Sequence, residues 1–130
     1  MVLPLIDPRI VEAVDRILDE NVADIYKEQP LAQDWARISK ETEEHGEAIA
    51  ELILATGQNP RKGFDPEAWA RMMAELADRA LTSIYALQHF TKDIKLTEYI
   101  LRSAQKKHEE RLLNGNSPQA QIPGRKGFGR

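Results

Sequence analysis

The sequence contains no cysteine in its 130 residues. This absence excludes a disulfide framework, a thiolate metal site and a cysteine nucleophile. Glycine and proline are also scarce, with seven of each, which excludes a collagen-like or low-complexity chain. What remains is 42% hydrophobic and 30% charged, which provides apolar side chains for one core and charges for exposed helix faces. We therefore expect one small domain rather than two.

The chain also lacks a large excess of one charge and any long apolar run. Lysine and arginine number 18 against 21 acidic residues, a net charge of -3, and nucleic-acid-binding domains are typically strongly basic. Apolar runs such as residues 52–55 are far shorter than the about 20 residues of a transmembrane helix. The first residues lack the basic segment and cleavage site of a signal peptide. We expect a cytoplasmic protein that binds neither nucleic acid nor membrane.

Apolar residues recur every three or four positions along most of the chain, which predicts helices rather than strands. Asp7-Pro8 and Asp65-Pro66 each combine an N-cap residue with a proline at the first helical position. Proline and glycine also mark the ends of the predicted segments. The sequence predicts an all-α, four-helix bundle-like protomer with helices over about residues 8–29, 31–56, 66–90 and 95–113.

Residues 114–130 differ in composition from the rest. They contain four of the seven glycines, two prolines, three basic residues and no acidic residue. This composition is typical of a segment without a core of its own. We expect a helical domain over residues 1–113, followed by a flexible basic tail over residues 114–130.

The apolar stripes indicate which positions face inward. Trp, Tyr and Met occur on several helix faces, which is more apolar surface than a monomer tolerates, so we expect a homodimer or homotetramer. The expected inward positions on the second and third helices are Trp35, Ile38, Ile49, Leu52, Ile53, Trp69, Met73, Leu76, Ala80, Ile84 and Leu87.

Two acidic doublets carry the most chemical information. Glu44 and Glu47 are three residues apart on the second helix, and so are Glu75 and Asp78 on the third, so each doublet shares one helix face. If the helices are antiparallel, four carboxylates converge, and they then need a cation to offset repulsion and desolvation. Oxygen-only ligands favour Mg²⁺ first and Mn²⁺ second. The alternative is that the acids form a solvated helix face.

Glycine is unexpected between the two glutamates of the second helix. Gly46 lies inside the predicted helix, where glycine costs about 1 kcal/mol relative to alanine. A close approach of a helix or a ligand would explain this choice.

The combined pattern, Glu43-Glu44-x-x-Glu47 followed by Glu75-x-x-Asp78, resembles the signature of the all-α nucleoside triphosphate pyrophosphatases. It is most similar to the MazG-like branch, which includes short phage-encoded members. The resemblance covers about residues 31–92 and, with the four-helix layout, extends to about 113. It implies a helical dimer or tetramer that hydrolyses a (deoxy)nucleoside triphosphate to the monophosphate and pyrophosphate.

The resemblance also implies roles for individual acids. Glu44, Glu47, Glu75 and Asp78 match the positions that bind Mg²⁺ in the family. Glu43 or Glu47 is the candidate for the catalytic group that takes the proton of the attacking water.

Three further positions are candidates for substrate binding. Trp35 provides an aromatic face for a nucleobase, although a core or interface position is the alternative. The resemblance also implies a basic residue and an Asn or Arg on the last helix that bind phosphate, and Lys107 and Arg111, four residues apart there, are the candidates. Arg79, directly after Asp78, is a departure, because family members commonly have an apolar residue there.

The histidines do not indicate a metal site, because His45, His89 and His108 are scattered and none has a partner at ligand spacing. Two other functions stay open. One is a non-catalytic helical interaction module whose acids form a solvated stripe. The other is a degenerate family member that binds nucleotide without hydrolysing it.

Overall fold

The computed structural model describes residues 6–22 and 24–115, and the described residues form helices without any strand. The all-α prediction is confirmed. Four long helices are present, together with one short helix. The prediction for the tail falls, apart from Asn114 and Gly115, outside the described residues. The helices are α1 (Pro8–Glu20), α2 (Asp24–Lys27), α3 (Pro30–Thr56), α4 (Ala68–Thr91) and α5 (Ile94–Leu113).

The first helix begins where the sequence predicts and ends earlier. The Asp7 carboxylate accepts a hydrogen bond from the Arg9 backbone N–H at 2.9 Å, which caps the N-terminus. The predicted segment to residue 29 is divided instead, because α1 ends at Glu20 and Asn21 is its C-cap. Asparagine favours such caps and turns through its short polar side chain. α2 then forms a separate single turn.

The turn between α3 and α4 is built around Gly57 and Asp65. Gly57 has φ 63° at the C-cap of α3, a left-handed conformation that glycine adopts without steric cost. A Cβ there would also lie 3.3 Å from Phe64 Cδ2. After the loop, the backbone N–H of Asp65 donates to the carbonyl oxygen of Leu54 at 2.8 Å. The chain therefore reverses direction and α4 runs back along α3.

The start of α4 is fixed by side-chain hydrogen bonds. The Asp65 carboxylate accepts from the Glu67 N–H at 3.0 Å and from Arg71 at 2.7 Å. Arg71 also binds Glu51 of α3 at 2.9 Å. The Arg71 hydrogen bond, followed by the backbone hydrogen bond, holds the pKa of Asp65 below its usual value. α4 begins at Ala68, with Glu67 at its N-cap and no side-chain cap hydrogen bond. The predicted cap at Asp65-Pro66 is therefore wrong in position, because these two residues form the turn that precedes the helix.

The buried apolar core of the described chain consists of small residues. It is formed by Val11, Ala48, Ala55, Ala68 and Ala86. Alanine contacts let the helices approach closely, but they bury little apolar area. α4 contacts both α3 and α1, and α2 contacts α3.

The expected inward positions are largely wrong for a single chain. Trp35 is 67% exposed, whereas Ile53, Ile84 and Leu87 are half-buried. Periodicity identifies an apolar face, but it does not show that the same chain covers that face. The other expected inward residues that are exposed are Ile38, Ile49, Leu52, Trp69, Met73, Leu76 and Ala80.

Contacts divide the chain into two units between Ile94 and Lys95. α5 accounts for the described part of the second unit apart from its last two residues, and it is a 20-residue helix with Arg111 in its last turn. Among the described residues, every helix is too short or too polar to cross a membrane.

Candidate metal centre

The register of α3 against α4 decides which acids meet. Along the pair, Glu51 binds Arg71 and Glu41 binds Arg79. At the far end, Asp34 binds His89. Residues near the end of α3 therefore pair with residues near the start of α4, and the reverse holds at the other end. The two helices are antiparallel. The acidic doublets lie in the middle of this register.

Three of the four acids predicted as metal ligands are directly grouped. One carboxylate oxygen each from Glu44, Glu75 and Asp78 lies within 4.8 Å of the other two. Glu44 is 9% exposed, Glu75 is half-buried and Asp78 is exposed. The group thus has a buried side and a side open to a ligand.

Glu47 joins the same group through Glu75. Burial raises the pKa of Glu75 above its usual value of 4.5, and a hydrogen bond to the Glu47 carboxyl and its charge raise it further. The Glu44 carboxylate acts in the same direction. A hydrogen bond between two carboxyl groups requires a shared proton. We call Glu44, Glu47, Glu75 and Asp78 the acidic cluster.

Lys40 connects the acidic cluster to Glu43. Its ammonium lies 3.1 Å from Glu43 Oε2 and 3.5 Å from Glu44 Oε1. The hydrogen bond to Glu43 and the nearby Glu44 raise the pKa of Lys40, although desolvation opposes the shift. Glu43 itself is exposed and lies at the edge of the group. In residues 6–22 and 24–115, no other ion pair involves an acid of the cluster or Glu43.

A cavity of about 530 Å³ is lined by residues of α1, α3 and α4 but by no acid of the acidic cluster. Lys40 connects the two, because it lines the cavity and pairs with Glu44. Thr82 also lines the cavity and lies one helical turn beyond Asp78. The walls are mainly apolar and include Val14, Leu18, Ala36 and Tyr85. Such a cavity can hold an apolar or planar group whose anionic end reaches the acidic cluster through a cation.

Arg79 has partners on α3 that account for its position. Its guanidinium donates to the Glu41 carboxylate and lies 2.8 Å from His45 Nδ1. These contacts link α4 to α3 beside Asp78. The departure from the family pattern at Arg79 therefore has a structural explanation in this chain.

The candidate substrate-binding residues lie on α3 and α5. Trp35 projects into solvent from α3. Lys107 and Arg111 lie on α5, where Lys107 is exposed and Arg111 is half-buried. Their contact with substrate stays a prediction.

Gly46 has open space around it. A Cβ added at Gly46 would meet no heavy atom of the described chain within 4 Å. A close approach by another helix within residues 6–22 and 24–115 is therefore not the reason for glycine at this position.

Sequence reasoning missed a second group of charges, at the end of α4. We call it the charge network. Its members come from α1, α3, α4 and the residue after α4, so their separation along the chain hides it. The signal available in the sequence was a pair of aspartates four residues apart on α1. The charge network consists of Asp15, Asp19, Asp34, Arg37, His89 and Lys92.

Arg37 ties three helices together in the charge network. It donates to Asp15 at 2.8 Å and to the carbonyl oxygen of Tyr85 at 2.9 Å. Asp15 is 4% exposed, so its charge needs such a partner. The Lys92 ammonium lies 2.8 Å from Asp15 and 2.6 Å from Asp19.

No family model matches this chain, and no curated protein or solved structure is significantly similar to it. The resemblance to the nucleoside triphosphate pyrophosphatases therefore rests on the motif residues.

Proposed function

We propose that this protein is a Mg²⁺-dependent nucleoside triphosphate pyrophosphohydrolase that converts a (deoxy)nucleoside triphosphate to the monophosphate and pyrophosphate, in nucleotide-pool control. The observation that carries the proposal is the grouping of Glu44, Glu75 and Asp78 oxygens within 4.8 Å. These acids come from two helices and are the positions that the motif resemblance assigns to metal binding.

The acidic cluster suits a hard divalent cation. All its donors are carboxylate oxygens, the ligands that Mg²⁺ and Mn²⁺ prefer. Its four carboxyl groups face a single ammonium among the described residues, that of Lys40. Burial and the neighbouring Glu47 and Glu44 carboxylates raise the pKa of Glu75 above its usual value, and a cation beside Glu75 would offset this effect. When bound, Mg²⁺ would neutralise phosphate oxygens and make a water molecule more acidic.

Nucleoside binding, phosphate contact and proton transfer are assigned to residues of the chain itself. The apolar cavity holds the nucleoside, and the Lys40 ammonium at its edge contacts a phosphate oxygen. Glu47 is our candidate to accept the proton of the attacking water, because it contacts Glu75 whereas Glu43 pairs with Lys40. The water oxygen bonds to phosphorus as the bond to the pyrophosphate oxygen breaks, and pyrophosphate leaves.

The proposal includes a homodimer or homotetramer. Large apolar residues are exposed on α1, α3 and α4, among them Ile10, Trp35 and Met73. A second copy of the chain would cover this surface. A mass near 14.8 kDa in solution would contradict this part of the proposal, and twice or four times that value would support it.

Pyrophosphate release tests the enzymatic proposal. The full chain is assayed with Mg²⁺ and each common ribo- and deoxyribonucleoside triphosphate. We expect turnover of at least one substrate, and its loss in Glu75→Gln and Asp78→Asn. Glu28→Gln is the matched control, because Glu28 is exposed in a turn away from the acidic cluster.

The exposed apolar surface favours one other function, the helical interaction module. In that case Mg²⁺ leaves the Tm of the wild type and of Glu44→Gln unchanged, and no nucleotide binds. A degenerate nucleotide-binding protein would instead bind nucleotide with Mg²⁺ and release no pyrophosphate.

A further inference from the structure

The charge network contains a buried nitrogen without a hydrogen-bond partner. The His89 side chain is 8% exposed, and its Nδ1 atom is buried and has no hydrogen-bond partner. Nδ1 points towards the α1 aspartates, with Asp19 Oδ1 at 3.7 Å. One atom each from Asp15, Asp19 and His89 lies within 4.8 Å of the other two.

The other ring nitrogen fixes the tautomer. His89 Nε2 lies 2.7 Å from Asp34 Oδ1, and an ionised carboxylate only accepts hydrogen bonds. Nε2 therefore carries the proton, and in the neutral ring Nδ1 presents a lone pair to Asp15 and Asp19. A carboxylate that orients a histidine in this way is the usual second partner of a histidine bound to a metal.

We propose that Asp15, Asp19 and His89 Nδ1 form a second divalent-cation site, for a Zn²⁺-like ion, in which the Lys92 ammonium takes the cation's place when no metal is bound. This inference does not depend on the proposed nucleotide chemistry. One imidazole and two carboxylates are a donor set that Zn²⁺ accepts, whereas Mg²⁺ prefers oxygen alone.

The charge of the network fits this exchange. With Lys92 displaced, Asp15 and Asp19 still pair with Arg37, and Asp34 pairs with the neutral His89 ring. The charge network then has three negative charges and one positive charge, and one divalent ion would cancel the difference. Tetrahedral coordination by Zn²⁺ places ligand atoms about 3.4 Å apart. The three atoms, which now lie within 4.8 Å of one another, would therefore have to close by up to about 1.4 Å.

Lys92 is suited to leave. Its side chain is half exposed, so the ammonium has a path to solvent. It lies between the two aspartate side chains, where the proposed ion would bind. Its backbone adopts the left-handed conformation with φ 52°, which is unfavourable for lysine and is offset by these ion pairs.

Zinc titration of the full chain at pH 7.5 tests the proposal, by calorimetry and by the NMR signals of the His89 ring. The Glu75→Gln/Asp78→Asn variant serves as the background, so that the acidic cluster does not contribute. We expect a single Zn²⁺ to bind and to shift the His89 signals. Binding should be lost in His89→Gln and retained in His108→Gln, a change at an exposed histidine on α5.

Two further variants distinguish a metal site from an ion-pair network. Asp34→Asn should weaken Zn²⁺ binding by about 10- to 100-fold, and Lys92→Met should strengthen it because the competing ammonium is gone. Zinc should also raise the Tm of Lys92→Met. The proposal is overturned if Lys92→Met binds Zn²⁺ no better than the background does. It is also overturned if the His89 signals respond to pH but not to Zn²⁺, because Nδ1 would then bind a proton rather than a metal ion.

Discussion

At the scale of single residues, the sequence predicts which acids of the acidic cluster share a helix face, but it does not predict their electrostatic environment. The spacing of Glu44 and Glu47, and of Glu75 and Asp78, predicts which side chains share a helix face. It does not predict that burial and neighbouring carboxylates raise the pKa of Glu75, because that depends on packing between α3 and α4. His89 was missed for a similar reason, since its partners lie far away along the chain.

The raised pKa of Glu75 predicts how the metal-free protein responds to pH. The folded state holds a proton that the unfolded chain releases, so this stabilisation is complete below about pH 4.5 and is lost as the pH rises through the raised pKa. We expect Glu75→Gln to show a smaller fall in Tm across this range. The measurement is thermal unfolding with a chelator at several pH values. Parallel curves for the two proteins would contradict the prediction.

Gly46 allows a prediction about helix stability. Because a Cβ meets nothing within 4 Å, Gly46→Ala should stabilise α3 by about 1 kcal/mol. Urea unfolding measures this change. A destabilised variant, or one that no longer forms the oligomer, would indicate that a partner or a ligand approaches the chain at this position.

At the scale of elements, the boundaries follow from caps that sequence shows. The Asp7 cap and the stop at Gly57 lie where their residue types predict. The break after α1 was not predicted, because the apolar period continues through Val22. Asn21, the C-cap of α1, is of a residue type that favours such turns, but this single residue is a weaker signal than the apolar period. The antiparallel α3 and α4 then bring the two acidic doublets together.

The connection of α1 to α3 depends on Arg37, which pairs with the buried Asp15. Arg37→Met should destabilise the fold by about 3 kcal/mol or more, because it leaves Asp15 buried with one partner fewer. Urea unfolding checks the size of the effect. Arg61→Met, at an exposed loop position, is the control and should change stability little. A loss below 1 kcal/mol for Arg37→Met would show that Lys92 alone satisfies Asp15.

At the scale of the whole molecule, the described residues have a small buried core and a large exposed apolar surface. Helical periodicity predicts the apolar faces correctly, but it cannot say whether the same chain or a second copy covers them. This is why positions such as Trp35 and Met73, expected to face inward, are exposed in the single chain. The proposed oligomer would cover these positions.

A charge on this surface tests the oligomer. Trp35→Glu should reduce the mass measured by light scattering from that of a dimer or tetramer towards 14.8 kDa, because the partner would have to bury the new carboxylate. Leu113→Glu, a change at an exposed position in the last turn of α5, is the comparison outside the first unit. An unchanged mass for Trp35→Glu would place the interface elsewhere.

We propose above that α3 and α4 bring their acids together around one divalent cation. Anomalous diffraction from crystals grown with Mn²⁺ tests it most directly, since Mn²⁺ substitutes for Mg²⁺ and can be located by its own signal. We predict a peak within coordination distance of Glu44, Glu75 and Asp78, absent in Asp78→Asn crystals. Wild-type crystals with no peak at the acidic cluster, and with these side chains turned apart, would contradict the account.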